Sequence, residues 1–452
     1  MKIFPDKTLK MESRCCPVFS FRSFLFLFGG WFYTVTVANQ DSCRRVNFME
    51  KEDGYALVNH ILKNISLPVG MHMQSNCKNR CMMEDRCKSI NMGPEDKDKV
   101  LCQISDSDHV QHPNDLKPTE GFTYRGMENK CRLSMCHNNA TCLVGFTDKG
   151  YKCVCQAGYK GEHCEKAFKA VLTNLNATGR YGPTSLGSHY TGQDHDGQVT
   201  LSRGIQQWTV PYTGDYRIEA MGAAGGYDQW INSSQYRGRG ARMIGTFCLN
   251  KGEVIQILVG QEGGINKRNY TSGGGGGTFV VRGADSPLII AGGGGGTEHV
   301  LSRHKGCDAS TNTMGNPGYK SWSGGSNGHG AQIVDDYYSG GGGGFYSSGR
   351  SGKDSNGTKG NGGEGGKGFL QGGKGGRAVY HNVVGGFGGG GGAYGLGGGG
   401  GGGGGGYSGG SSGVASFDSC GGGGGSYNDG NNQENACCYS TAGHGQVTIT
   451  LL

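Results

Sequence analysis

Six uninterrupted glycine runs, at 273–277, 292–296, 340–344, 388–392, 397–406 and 421–425, limit what this chain can fold into more than any other feature. Glycine buries no side chain and loses more conformational freedom on ordering than any other residue, so such runs order only if backbone groups supply the contacts. The bland outcome is a flexible linker. Against it, the runs alternate with strand-like segments instead of joining two domains, and the last strand-like segment, at 445–451, follows them. Glycine runs can also form threefold extended helices of the polyproline II type that pack side by side through backbone hydrogen bonds. The ordered reading is favoured.

The runs belong to one half of the chain. Of 93 glycines in 452 residues, 12 precede residue 181. A chain this long holds several folding units, and the two halves are different materials. The formal charge of +7 includes +3 from the first 38 residues, and the rest is spread thinly. No Lys/Arg block with interleaved aromatics occurs, so nucleic-acid partners are not expected.

The N-terminus sets the compartment. A basic stretch leads into an apolar run at 24–33, then Thr36-Val37-Ala38, a small-x-small pattern. This reads as a signal peptide at 1–38, cleaved after Ala38; a signal anchor is the alternative, because Gly29-Gly30 interrupts the apolar core. No later apolar run approaches the roughly 18 residues of a membrane span. Loss of the leader would remove Cys15 and Cys16 from the 18 cysteines, leaving an even number. On a secretory route the remaining cysteines read as disulfides. Sequons at Asn64, Asn139, Asn176, Asn232, Asn269 and Asn356 are candidate glycosylation sites.

Cys77, Cys81, Cys87 and Cys102 form a first cluster. If 73–86 is helical, Cys77 and Cys81 lie one turn apart on one face. With Cys-Lys-Ser-Ile-Asn at 87–91, Leu-Cys-Gln-Ile at 101–104 and Gly-Phe-Thr-Tyr at 121–124, this segment resembles the PAN/Apple domain. The resemblance implies a five-stranded sheet around one helix, Cys77 paired with Cys102, Cys81 with Cys87, and recognition of proteins or carbohydrates. An unrelated disulfide knot acting as a spacer is the alternative. Cys43 has no evident partner.

The next six cysteines read Cys131-x4-Cys136-x5-Cys142-x10-Cys153-x-Cys155-x8-Cys164, with Gly158-Tyr159-x-Gly161 before the last. This spacing is similar to that of EGF-like domains. The resemblance implies pairs Cys131–Cys142, Cys136–Cys153 and Cys155–Cys164. A module this small needs such bridges, because it cannot bury enough apolar surface. The segments Met127-Glu-Asn-Lys130 and Leu143-Val144 lack the oxygen cluster that calcium requires. No calcium is expected, and the module reads as a spacer.

Alternating segments at 198–201, 207–210, 215–220, 241–247 and 253–259 read as half-buried antiparallel strands. With Trp-Thr-Val-Pro-Tyr-Thr-Gly at 208–214, Asp-Tyr-Arg-Ile-Glu-Ala-Met-Gly-Ala-Ala-Gly-Gly at 215–226, Val-Gly-Gln-Glu-Gly-Gly at 259–264 and Gly-His-Gly-Gln-Val-Thr-Ile at 443–449, this half resembles the extracellular glycine-rich region of the anaplastic lymphoma kinase and leukocyte tyrosine kinase receptors. That implies a β-sandwich, similar to tumour necrosis factor folds, with inserted polyglycine II helices. No kinase is present in the sequence, and the family's cytokine-binding surface is not transferred to any residue.

Apparent chemistry dissolves on inspection. The GxGxxG matches lie in glycine runs with no βαβ unit around them. The 13 histidines are scattered and form no metal-ligand spacing, so no metal or cofactor is expected. No nucleophile, base and oxyanion donor can be named together, so no enzyme is expected. Cys248, Cys307, Cys420, Cys437 and Cys438 make an odd set in the glycine-rich half. Their pairing stays open: either a bridge to Cys43 or a disulfide-linked oligomer would balance it.

The expected architecture is multi-domain and mainly β: a signal peptide (1–38), a small disulfide-rich α+β PAN-like domain (39–126), an EGF-like module (127–165), a polar linker (166–196) and a β-sandwich with inserted polyglycine II helices (197–452). The expected role is a secreted structural or adhesive protein of an extracellular matrix whose partners are extracellular proteins or glycans. Secreted mosaics of this kind resemble cnidarian skeletal organic matrix proteins, so a framework place in a biomineral is the concrete version. The lack of Asp/Glu runs disfavours direct mineral nucleation. A soluble signalling ligand or decoy receptor on a receptor tyrosine kinase pathway is the alternative.

Overall fold

The computed structural model describes residues 12–14, 44–131, 135–319, 321–331, 339–352, 355–356, 359–360, 362–440 and 443–452. The expected leader, apart from 12–14, and Cys43 lie outside the described residues. The chain forms two compact units, Met1–Lys166 and Ala167–Leu452. Both are mainly β, with few helices.

The first unit holds β1 (Glu52–Leu57), β2 (Ile61–Pro68), α1 (Met73–Met82), β3 (Ser89–Asp96), β4 (Lys99–Ser105) and β5 (Leu116–Gly126). They make an antiparallel sheet of order β1-β5-β3-β4-β2. Alternation places Val100, Cys102 and Ile104 of β4 on the buried face. Cys77 and Cys81 share the buried face of α1 and are bonded to Cys102 and Cys87, the pairs that the resemblance implies. The helix stops at Met82, short of the expected 86. The Cys81–Cys87 bond turns the chain back, and the Glu84 carbonyl accepts from the Cys87 amide at 2.9 Å.

A hairpin of β6 (Thr141–Val144) and β7 (Tyr151–Val154) carries the bonds Cys131–Cys142, Cys136–Cys153 and Cys155–Cys164. Gly158 and Gly161 take φ +90° and +103° at its turns, conformations that strain residues with a Cβ. The module is not a free spacer. Its Val144 packs in one core with Val46, Ile90 and Met127. Arg44, 1% exposed, crosses that core: its guanidinium donates to the carbonyls of Val144 (3.0 Å), Cys81 (2.8 Å), Glu84 (2.7 Å) and Cys87.

The second unit contains two large antiparallel sheets, besides short two-stranded ones. One has the order β8-β18-β11-β12-β17, built from β8 (Lys169–Leu172), β11 (Gly214–Met221), β12 (Gly240–Leu249), β17 (Asn431–Ser440) and β18 (Gln446–Leu451). The other runs β9-β10-β13-β14-β15-β16, built from β9 (Val199–Ser202), β10 (Ile205–Thr209), β13 (Val254–Leu258), β14 (Thr278–Arg282), β15 (Ser286–Ala291) and β16 (Tyr427–Asn428). Trp208 of β10 and Tyr216 of β11 are fully buried and meet edge to face at 5.8 Å, so the sheets share a core.

Two expectations need correction here. The polar linker expected at 166–196 is, from Ala167 onward, part of this unit: β8 pairs with β18, from Lys169 opposite Thr450 to Leu172 opposite Val447. Phe168, Ala170 and Leu172 alternate inward, and Leu175, Tyr190 and His195 are buried behind them. The strand is short, and the apolar Val171 between Ala170 and Leu172 breaks the polar half of its alternation. Strands β14 and β15 were also unexpected. Phe-Val-Val and Leu-Ile-Ile are short apolar runs without alternation, because both faces of these strands are covered.

Candidate functional site

The glycine runs are ordered through the backbone. Along 402–406, successive amides donate to the carbonyls of Ser272 (3.0 Å), Gly340 (3.0 Å), Gly422 (2.8 Å), Gly275 (2.9 Å) and Gly343 (3.2 Å). Donation therefore returns to the same neighbouring run every third residue. The carbonyls of Gly402, Gly403, Gly404 and Gly405 accept from Gly296, Gly391, Gly410 and Gly293. Segment 401–406 is thus surrounded by six others, near residues 272–277, 292–296, 340–344, 388–392, 409–411 and 421–425. Each neighbour lies at backbone distance. A Cβ on Gly405 would sit 2.0 Å from the Gly388 oxygen, and one on Gly404 2.1 Å from that of Gly293.

Buried acids close the rim of this array. The Glu298 side chain accepts from the amides of Gly398 (2.6 Å) and Gly400 (2.8 Å), where the ten-glycine run turns with φ of +78° and +71°. Burial pushes its carboxyl up to about 7, and nearby Asp228 pushes the same way. Glu364 takes Arg180 (2.7 Å), Lys367 (3.1 Å) and the Arg377 amide (3.2 Å). Burial raises its carboxyl, but Lys367 and Arg180 outweigh this and hold it low. His444 accepts from the Glu262 amide at 3.0 Å, and burial pulls its imidazole down.

Beside Glu298 lies a patch of rings in which Trp230 and His299 are half-buried and Phe417 is exposed. Trp230 meets the other two edge to face at 5.3 Å, and His299 stacks on Phe417 at 4.7 Å. His304 stacks on Tyr319 at 3.6 Å, and Asp418 takes the Leu301 amide (2.9 Å) and His304 Nε2 (3.2 Å). Ile231 (76% exposed), Phe417 (49%), Leu301 (48%) and Trp322 (41%) face solvent. No motif points to this patch, because its members come from four separate segments, 230–231, 299–304, 319–322 and 417–418.

The open cysteines resolve in part. Cys307 is bonded to Cys420, fully buried, and Cys437 to its neighbour Cys438. Among the described residues Cys248 is free, and it is exposed. Asp308, Cys437 and Cys438 present three potential metal-ligand atoms together. The sulfurs are spent in a bond, however, and Arg239 holds the Asp308 carboxylate at 2.9 and 3.1 Å, with Arg303 at 3.6 Å. Two guanidiniums would repel a cation there. In the EGF-like module, Glu128 is paired with Lys130 at 2.5 Å, and Asn129 Oδ1 accepts from the Cys131 amide at 2.8 Å. Asn64, Asn139, Asn176, Asn232 and Asn269 are all exposed; the side chain of Asn356 lies outside those described.

Residues 129–163 match the EGF-like domain family. The chain is also similar to the leukocyte tyrosine kinase receptor of mouse, 40% identical over 100 residues, which is 21% of this chain and 11% of the receptor. The chain thus matches only about a tenth of that relative's length. An EGF-like module with many disulfide bonds marks an extracellular protein. No helix among the described residues is long and apolar enough to cross a membrane.

Proposed function

We infer that this protein is a structural and adhesive component of an extracellular matrix, and that the glycine-rich unit is its stiff framework body. One observation carries the reading: 401–406 is hydrogen-bonded on all sides to six other segments, with a three-residue repeat. That repeat supports polyglycine II helices inserted in a β-sandwich. Such a body offers few side chains for chemistry and resists deformation through a dense set of backbone bonds. The five-stranded sheet and stapled helix of the first unit support a PAN/Apple-like adhesive head for proteins or glycans. The ring patch around Phe417 supplies a second contact surface. The exposed sequons support a glycoprotein. A biomineral organic matrix is the specific setting proposed, and no catalytic role is assigned.

The test is fractionation of the native tissue. A matrix role expects the protein to stay with the insoluble fraction through detergent and high salt. Recovery only in soluble secretions would overturn it. The receptor match favours a second reading, a soluble ligand or decoy on a receptor tyrosine kinase pathway. Saturable, nanomolar binding to intact cells would select that one.

A further inference from the structure

A disulfide between adjacent residues staples nothing. It closes no loop, so the chain-entropy gain that a long-range bridge provides is missing. Cys437–Cys438 must therefore be accounted for by what it does locally. It lies in β17, at the edge of its sheet, with Cys437 exposed. Cys438 is held at φ +79°, a conformation that strains any residue with a Cβ. Exposed, strained disulfides are the labile and exchangeable ones. Beside the bond lies the Asp308 carboxylate, whose charge is offset by its pairing with Arg239 and Arg303.

The same unit carries the complementary nucleophile. Cys248 is exposed and unbonded in the neighbouring strand β12. It cannot reach the bond in its own chain. Ala436 pairs with Arg242, six residues before Cys248, which at about 3.3 Å per residue separates the sites by roughly 20 Å. A disulfide needs Cα atoms within about 7 Å.

We propose that Cys437–Cys438 is a thiol-exchange site whose partner is Cys248 of a second copy of this chain. The Cys248 thiol loses its proton to solvent, and its sulfur attacks Cys437 Sγ. The Cys248–Cys437 bond forms as the Cys437–Cys438 bond breaks. Cys438 leaves as thiolate and takes up a proton. One disulfide is consumed and one made, one thiol is lost and one gained, so no oxidant is required. Because the two reacting surfaces differ, the contact is head-to-tail and extends into a linear polymer unless it closes into a ring. The inference rests on the disulfide-linked oligomer that would balance the odd set of cysteines in this half, and adds its site and chemistry.

The experiment incubates the concentrated full-length protein without oxygen and with a chelator, then runs non-reducing electrophoresis, peptide mass spectrometry and thiol counting. The expected result is a reducible ladder with Cys248–Cys437 peptides and an unchanged number of free thiols per chain. Cys248→Ser and the double variant Cys437→Ser/Cys438→Ser should each abolish the ladder while keeping the wild-type circular dichroism spectrum and thermal melt. A ladder that survives in the double variant, or Cys248–Cys248 peptides with two thiols lost per bond, would overturn exchange yet leave a linked oligomer standing. No ladder from the wild type in either the presence or the absence of oxygen would remove both.

Discussion

If the glycine array is load-transmitting structure, then the same substitution in the same run must have opposite effects at two positions. In Gly405→Ala the new Cβ would lie 2.0 Å from the Gly388 oxygen, against the 3.4 Å at which ordinary contact begins. The neighbour is itself backbone and cannot rotate away, so segments must part by about 1.4 Å. That separation breaks bonds on both sides of the residue, from its amide to Gly275 and from the Gly293 amide to its carbonyl. Overpacking costs about 1–3 kcal/mol, and each buried group left unsatisfied about 1–3 kcal/mol more. Counting only the amide and carbonyl of Gly405 itself, a total of about 3–9 kcal/mol would be a large share of the roughly 5–15 kcal/mol that holds a domain together. Gly397→Ala, eight positions earlier, meets only the edge of the Tyr270 ring at 3.4 Å and has no positive φ. There the alanine should be neutral or stabilise by about 0.4–1 kcal/mol, through the unfolded chain. Urea unfolding followed by Trp208, buried between the sheets, measures both. Equal midpoints for the two variants would refute the array and restore the flexible linker.

Three further outcomes follow from the buried groups. Glu298 has its folded pKa pushed up to about 7, above an unfolded value near 4.5, so its contribution is fully present below about pH 4.5 and is lost as pH rises through 7. Wild type should therefore gain up to about 3 kcal/mol relative to Glu298→Gln between pH 7.5 and 4.5; parallel pH–stability curves for the two proteins would contradict this. The double variant Cys307→Ser/Cys420→Ser opens a separation of 113 residues and should cost about 5 kcal/mol by loop-closure entropy, whereas opening Cys437–Cys438 should cost almost none; denaturant titrations compare the two. Arg44→Met leaves carbonyls of Val144, Cys81 and Glu84 without their donor and should destabilise the first unit by at least about 3 kcal/mol, seen as earlier loss of protection in hydrogen exchange at both α1 and β6.

What could be read in advance depended on whether side chains carried the information. Cysteine spacing is a covalent constraint, so the pairs in α1 and the EGF-like hairpin were legible as soon as a family resemblance supplied the connectivity. Strands β10, β11, β12 and β18 were legible because one face of each is covered and their sequences alternate. β8 and β14 were not, the first because it is only four residues long, with apolar Val171 between its inward Ala170 and Leu172, the second because both its faces are buried. Arg44 was invisible for another reason: a single basic residue beside another looks solvated, and only the convergence of five carbonyls, those of Cys81, Met82, Glu84, Cys87 and Val144, turns it into a core residue.

The glycine runs are the limiting case. A run of identical residues specifies no register, since sliding it by one leaves every side chain the same. Register must then be imposed from the ends, and the structure shows by what. Glu298 captures the two turning amides at 398 and 400, Phe387 ends one run in the core beside Phe345, and the Cys307–Cys420 bond pins the start of 421–425 to the loop after 292–296. The array is therefore only as well defined as its rim. This is also why its interior tolerates no side chain, while the rim carries the buried acids, the exposed rings and the exchangeable cysteines. Selection for partners and crosslinks can act on that rim without disturbing the bonds beneath it.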